Sequence, residues 1–253
     1  MKESNPFSLA GKRILVTGAS SGIGQKIAMS CAELGAQLII TGRNRERLGA
    51  TAQAMHGEQH VSIEADLTQS DDIRALVEQT GKIHGVVHAA GISRLAPLRM
   101  MQAGQISEIF AHNTFAPMLL SKELLAKKSI QSNGSVVFIS AVASHVGPLA
   151  SSGYSASKSA LLGFMRSLGL ENAKQGIRVN CIAPGYVRTP MLESLSSSGM
   201  NIDAYAKLAP LGMGEPEDVA YASIFYLSDA SRWITRTYFI VDGGLTIPMD
   251  IYA

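Results

Sequence analysis

Tyr154-Ser155-Ala156-Ser157-Lys158 places a phenol and an ammonium four residues apart, on one face if the segment is helical. A free tyrosine titrates near pH ~10 and is a poor base at neutral pH. An adjacent ammonium stabilises the phenolate and lowers that value, which lets the tyrosine exchange a proton with an alcohol or a carbonyl. The same spacing is common on ordinary helix surfaces, so its meaning depends on what surrounds it.

Near the start of the chain, Thr17-Gly18-Ala19-Ser20-Ser21-Gly22-Ile23-Gly24 joins an apolar run to a helix candidate. Glycines there permit a tight turn and close backbone approach to a pyrophosphate. The helix amino terminus that follows offers unpaired N–H groups and partial positive charge. The spacing is Gly-x-x-x-Gly-x-Gly rather than the more familiar Gly-x-Gly-x-x-Gly. The second apolar run ends in Thr41-Gly42-Arg43-Asn44. A site for NAD(H) usually has a carboxylate here for the ribose 2′-hydroxyl, whereas Arg43 suits a phosphate and stacks on adenine. With Ser20 and Ser21 close by, NADP(H) is preferred over NAD(H). The competing reading of Arg43 is a solvated surface residue.

The elements that must hold these groups follow from hydrophobic patterning. Short apolar runs at 14–16, 38–40, 61–65, 86–87, 136–139, 179–182 and 238–241 alternate with helical stretches. Ile27, Ala28, Cys31 and Leu34 form one face of the first helix, which Gly35 closes. An Arg-rich helix runs from about Arg45 to Met55, and Ser70 is positioned to cap a short one with Ile73, Leu76 and Val77 inward. Further helices end near Lys127, follow Tyr154 and start near Glu215. Continuous apolar strands alternating with helices predict a single doubly wound, Rossmann-type α/β domain over 1–253, with about seven parallel strands and helices on both faces. Ligands of such a sheet bind outside the carboxyl ends of the strands, where strand order reverses. Every connection is short except that from Thr189 to Glu215, which contains Ser196-Ser197-Ser198-Gly199 and Pro210. Residues 190–214 are expected to cover a substrate site. Met191, Leu192, Leu195, Met200, Tyr205 and Leu208 there suit an apolar or amphipathic substrate, or else pack onto the domain.

Composition removes several classes of function. The 22 basic and 20 acidic residues leave a net charge of +2, too little bias for nucleic acid or an anionic membrane as the main partner. With 46% hydrophobic and 17% charged residues, a packed core is expected rather than disorder. Cys31 and Cys181 lie in apolar segments and read as small buried hydrophobes, not as a disulfide framework or a four-cysteine metal site. No His/Cys/Asp cluster has metal-ligand spacing. No apolar run approaches the ~18 residues of a membrane helix, and residues 1–7 lack a signal peptide's features. A soluble protein of the reducing cytoplasm is expected.

The glycine loop and the tyrosine–lysine pair, about 130 residues apart, together resemble the short-chain dehydrogenase/reductase family, and in particular its 3-oxoacyl-[acyl-carrier-protein] reductase-like members. Asp66-Leu67, Ala89-Ala90-Gly91, Asn113, Pro184-Gly185 with Thr189, and Val241-Asp242-Gly243-Gly244 carry the resemblance across the whole chain. It implies an oxidoreductase interconverting a secondary alcohol and a ketone, with Tyr154 as general acid/base and Lys158 binding the nicotinamide ribose. Asn113 would hold a water of the proton relay, Asp66 the adenine amino group, and Leu67 would pack nearby. Gly18, Ser20, Ser21, Gly22, Ile23, Gly24, Ala90 and Gly91 would line the dinucleotide. Backbone from Pro184 through Gly185 to Val187, with the Thr189 hydroxyl, would hold the carboxamide and phosphates. Asn180 would support the site or serve as a strand-end turn residue. A homotetramer is also implied, consistent with apolar Phe115, Leu119, Leu120, Leu161, Phe164, Met165 and Leu168, and with Ile247-Pro248-Met249 and Ile251-Tyr252.

Two departures matter. The family carries a serine 13 residues before the tyrosine to hold the substrate oxygen, and here that position is Ala141. Neighbouring strand residues point to opposite faces, so Ser140 reaches the same place only through a bend; Ser144 is the other nearby hydroxyl. A rearrangement using one of them, a deliberate substitution, and a degraded site remain open, and the last two allow a weakened or inactive NADP-binding subunit. His88 and Ala89 also replace two asparagines usual before Ala90-Gly91. His88 reads as a structural histidine, and His145, between Ala141 and Tyr154, as a substrate contact or a solvated loop residue.

Overall fold

The computed structural model describes residues 5–196, 204 and 207–246. Seven strands, β1 (Arg13–Thr17), β2 (Gln37–Gly42), β3 (Val61–Glu64), β4 (Ile83–His88), β5 (Ile130–Ile139), β6 (Arg178–Pro184) and β7 (Tyr238–Val241), form one sheet in the order β3-β2-β1-β4-β5-β6-β7. Every pairing is parallel. The chain is a doubly wound α/β domain, and strand order reverses between β1 and β4.

The strands read as unbroken apolar runs because both faces are covered. In β1, Ile14 and Val16 pack into one core and Leu15 into the other. The first core is closed by α1 (Gly22–Glu33), through Ile27, Ala28 and Cys31, and by α2 (Arg45–Ala54), through Leu48. The second is closed by α3 (Ser70–Thr80), through Ile73, Leu76 and Val77. Next in the chain, α4 (Ala103–Phe110) leads into α5 (Ala116–Ala126), which packs beside α3 on that face with Leu120 and Leu124 fully buried. A four-residue helix, α6 (Ala143–Val146), precedes the long α7 (Ser152–Glu171), and α8 (Pro190–Ser196) follows β6. The last helix, α9 (Pro216–Leu227), returns to the first face, where Val219, Ala220 and Ile224 pack beside α1.

Local details differ from the sequence expectation for physical reasons. Ser70 is the first helical residue of α3 and its side chain makes no cap; Gln69 occupies the cap position and Asp71 and Asp72 supply negative charge to the first turn. The helix ending near Lys127 is interrupted at Ala111–Phe115 by one π turn. Leu161, Met165 and Leu168 of α7 belong to its own core rather than to an outer surface, whereas Phe115 and Leu119 are exposed. Met200, Tyr205, Ile247, Pro248, Met249, Ile251 and Tyr252 lie outside the described residues.

Candidate active site

The carboxyl ends of β1, β2, β4, β5 and β6 surround a cavity of about 570 Å³. Its near wall is the glycine loop. Gly18 has φ +66°, and a Cβ there would lie 2.7 Å from Ala90 Cα; at Gly24 it would lie 2.5 Å from the carbonyl oxygen of Gly18. The loop therefore packs at backbone distance against the end of β4, held by Thr17 Oγ1, which accepts from the N–H groups of Ala89 and Ala90 at 3.1 Å each. α1 begins here with no side-chain cap on its first N–H groups and no acidic residue in its first turn. Such a bare helix terminus beside Ser20, Ser21, Gly22 and Ile23 fits a pyrophosphate.

At one end the cavity is cationic. Arg43 and Arg47 line it beside Ser20 and Asn44, and among the described residues neither arginine has a salt-bridge partner. Asp66 is the one carboxylate lining the cavity among those residues. Burial works against its charge, but Thr68 donates from its backbone N–H at 3.0 Å and its hydroxyl at 2.8 Å, and with Arg43 and His112 nearby the carboxyl is held below its usual value. Leu67 and His112 complete this end. Burial, then Arg43, depresses the His112 imidazole, while Asp66 pulls the other way. His112 was not singled out by the sequence; only its place beside Asn113 pointed to it.

Tyr154 and Lys158 line the opposite part of the same cavity, with Ala90 and Gly91 between them and the glycine loop. Lys158 is buried and its Nζ donates to the Ile139 carbonyl at 2.8 Å. Asn113 sits in the π turn and does not line the cavity. Its Oδ1 accepts from Ile92 N–H at 2.8 Å, and its Nδ2 donates to the Ile92 carbonyl at 2.9 Å and to Ser157 Oγ at 3.1 Å. It thus ties α7 to the loop after β4. The lowered tyrosine value expected from the lysine is not what this environment gives. Burial pushes the Tyr154 phenol up to about 12 and the Lys158 ammonium down to about 8, because desolvation penalises each charged form. At neutral pH the phenol keeps its proton.

Around Ala141 the hydroxyls are arranged differently from the family pattern. Ala141 and Ser140 both line the cavity, but Ser140 is buried and its Oγ lies 3.2 Å from both the Lys158 carbonyl and Ser144 Oγ. Ser144 lies outside the lining, donating to the Ala141 carbonyl at 2.7 Å and meeting the Tyr238 hydroxyl at 2.9 Å. His145 is also outside it, exposed, with its ring 6.4 Å from that of Tyr238. His88 is buried, stacked 4.8 Å from Phe138 and bonded through Nε2 to Ser121 Oγ; burial drives its value down to about 3. Asn180 clamps β6 to the segment before β7, donating to the Ile234 carbonyl and accepting from Thr237.

The far wall comes from the chain after β6. Pro184, Gly185, Tyr186, Val187 and Thr189 line it, and Thr189 Oγ1 accepts from Leu192 N–H at 3.3 Å, capping α8. Met191, Leu192 and Leu195 of α8 line the cavity, as do Leu95, Pro148 and Leu149. Leu149 is 96% exposed. Pro148, Leu149 and Ser151 fall in the stretch between Ala141 and Tyr154 that the family resemblance assigns to the substrate pocket, whereas Leu95 carries no motif and becomes visible only through the fold.

A parallel sheet with this reversal, glycine loop and tyrosine–lysine pair defines a class, and the comparisons agree. The family model described as "Enoyl-(Acyl carrier protein) reductase" matches residues 18–246, and the chain belongs to the short-chain dehydrogenase/reductase family of oxidoreductases, which bind a nicotinamide cofactor. It is 34% identical over 240 residues to "Carbonyl reductase family member 4" of Danio rerio, covering 93% of this chain and 98% of that one. It is 33% identical over 240 residues to "3-oxoacyl-[acyl-carrier-protein] reductase FabG" of Rickettsia prowazekii (strain Madrid E), covering 94% and 98%. A crystal structure of a short-chain type dehydrogenase/reductase from Mycobacterium marinum superposes with a TM-score of 0.87 at 30% identity, covering 96% and 98%. No described helix is long and apolar enough to cross a membrane, and no described group of three or more His, Cys, Asp or Glu could hold a metal ion.

Proposed function

We propose that this chain is an NADP(H)-dependent reductase of ketones, interconverting a ketone and a secondary alcohol, with Tyr154 as the proton donor and acceptor. The observation that carries this reading is that Tyr154 and Lys158 line the same cavity as the glycine loop. The dinucleotide would be held by the loop from Gly18 to Gly24, by Asp66, Leu67, Ala90 and Gly91, and by the segment from Pro184 to Thr189. Arg43, with Arg47, would hold the 2′-phosphate, since no carboxylate stands at the end of β2 to repel it. The bound nicotinamide supplies hydride to the carbonyl carbon. The chain's own part is to hold that carbonyl against the Tyr154 hydroxyl and to pass its proton to the oxygen as negative charge develops there. A phenol that keeps its proton at neutral pH suits the reducing direction. Lys158, as an ammonium, would offset the negative charge left on the Tyr154 phenolate, and Asn113 ties α7, which carries both groups, to the loop after β4.

The apolar mouth formed by Leu95, Pro148, Leu149, Met191 and Leu195 supports a substrate with a hydrocarbon portion, and residues 190–214 are read as its cover. Relatives named for 3-oxoacyl-[acyl-carrier-protein] and for carbonyl reduction favour a β-ketoacyl thioester over a keto sugar. The protein is further read as a cytoplasmic homotetramer, which exposed Phe115, Leu119, Trp233 and Phe239 support. The decisive variant is Tyr154→Phe. It should leave NADPH affinity within about twofold and lower kcat about 10²–10⁴-fold. A variant keeping more than about a tenth of the parent rate removes Tyr154 from this role.

A further inference from the structure

Ala141 leaves the reaction without the hydroxyl that the family supplies there, and the structure offers another. Ser151 occupies the cap position of α7, three residues before Tyr154 and seven before Lys158. That spacing puts all three on one helix face, and all three line the cavity. Ser151 and Ser140 are equally buried, at 3% exposure each, so the two are distinguished by their hydrogen bonds and not by burial.

Its one proton rests on the Pro148 carbonyl and can be turned from there into the cavity. Ser151 Oγ donates to the Pro148 carbonyl and lies 2.8 Å from Ser155 Oγ. Ser155 is buried, and donation from its hydroxyl to Ser151 Oγ releases the Ser151 proton for another acceptor. The Pro148 carbonyl also accepts from the Ser151 backbone N–H at 3.2 Å, so turning the hydroxyl into the cavity leaves no buried oxygen unpaired. Ser140 lacks this freedom. Its hydroxyl is engaged by the Lys158 carbonyl, Ser144 and the Cys181 thiol, where β5 and β6 pack beneath α7.

We propose that Ser151 holds the substrate oxygen beside Tyr154, in place of the missing serine at 141, with Ser155 donating to it from behind. This rests on the reading of Tyr154 as proton donor. Ser151 contributes a hydrogen bond only; the proton transferred comes from Tyr154.

The test follows NADPH oxidation at 340 nm with S-acetoacetyl-N-acetylcysteamine, ethyl acetoacetate and 2-decanone as probes, together with NADPH titration by fluorescence. Ser151→Ala should lower kcat about 10²–10³-fold, the range for one donor aimed at developing charge. NADPH affinity should stay within about twofold, and Ser151→Thr, which keeps the hydroxyl, should retain most of the rate. Adding Ala141→Ser to Ser151→Ala should recover at least about tenfold, since it restores a donor from the other wall. The proposal is overturned if Ser151→Ala keeps more than about a tenth of the parent rate, or if the loss appears in Ser140→Ala instead. If Tyr154→Phe is as active as the parent, or the parent reduces none of the probes, the underlying reading falls and takes the proposal with it.

Discussion

The contact between Gly24 and the Gly18 carbonyl is the tightest constraint on the cofactor loop and predicts opposite outcomes for two chemically identical substitutions. Gly24 and Gly49 both lie in helices, α1 and α2, and neither has a positive φ. A Cβ at Gly49 meets nothing within 4 Å, whereas one at Gly24 lies 2.5 Å from Gly18 O. Gly49→Ala should therefore stabilise the fold by about 0.5–1 kcal/mol, the helix gain of alanine over glycine, raising Tm by about 1–4 °C for a domain of this size. Gly24→Ala has the same helix gain but must push the Gly18 carbonyl away by roughly 1 Å, against backbone. Overpacking of that kind costs about 1–3 kcal/mol, which less the helix gain leaves a loss of up to about 2.5 kcal/mol and a Tm lower by up to about 10 °C. The moved carbonyl belongs to the loop that would cradle the pyrophosphate, so NADPH affinity should drop at least about tenfold, equivalent to about 1.4 kcal/mol. Differential scanning fluorimetry on the free proteins and fluorescence titration with NADPH read the two effects separately. Equal Tm and equal NADPH affinity for parent and Gly24→Ala would refute the loop geometry and the placement of the dinucleotide on it.

Arg43→Ala should weaken NADPH far more than NADH, and Gly42→Asp should move preference toward NADH; a Cβ at Gly42 meets Ser20 Oγ at an ordinary 3.4 Å, so the side chain has room. Equal losses for both cofactors in titrations of Arg43→Ala would end the phosphate assignment. Stability should fall on acidification through His88, which stays neutral in the fold down to about 3 because burial disfavours its charge but is protonated below ~6.5 when unfolded. Its contribution is complete above ~6.5 and is lost at about 1.4 kcal/mol per pH unit as pH falls toward 3, with His84 and His112, also lowered by burial, adding to the same slope. Urea titrations of parent and His88→Asn across that range test it, and identical pH slopes would count against a buried neutral imidazole. Light scattering at micromolar concentration should return a multiple of 26.8 kDa; the monomer mass alone would leave Phe115 and Trp233 without the partner that their exposure implies.

How far the site could be read from the chain depended on whether a residue's role is set locally or by the fold. Strands β1, β2 and β6 were legible because both their faces are buried, so their runs are continuous and need no phase. The glycine loop was legible because a close backbone approach admits one residue type. The π turn at Ala111–Phe115 was not legible. It depends on Asn113 reaching across to Ile92 and Ser157, a tertiary demand that leaves no mark on helix periodicity. The environment of Tyr154 is likewise set by tertiary packing. Spacing brings a lysine onto the same helix face, but only the fold buries Lys158 and half-buries Tyr154, and desolvation raises the phenol rather than lowering it. Ser140 looked like the substitute for position 141 because adjacency is all that a sequence displays. In the structure, adjacency along the strand matters less than a shared helix face. The position-141 side chain enters the cavity from β5, while Ser151 enters from α7, on the same stripe as the tyrosine. The proposal for Ser151 turns on that difference: the Ser140 side chain is engaged beneath α7 by the Lys158 carbonyl and the packing around Cys181, whereas Ser151 lies on the cavity-lining face of α7.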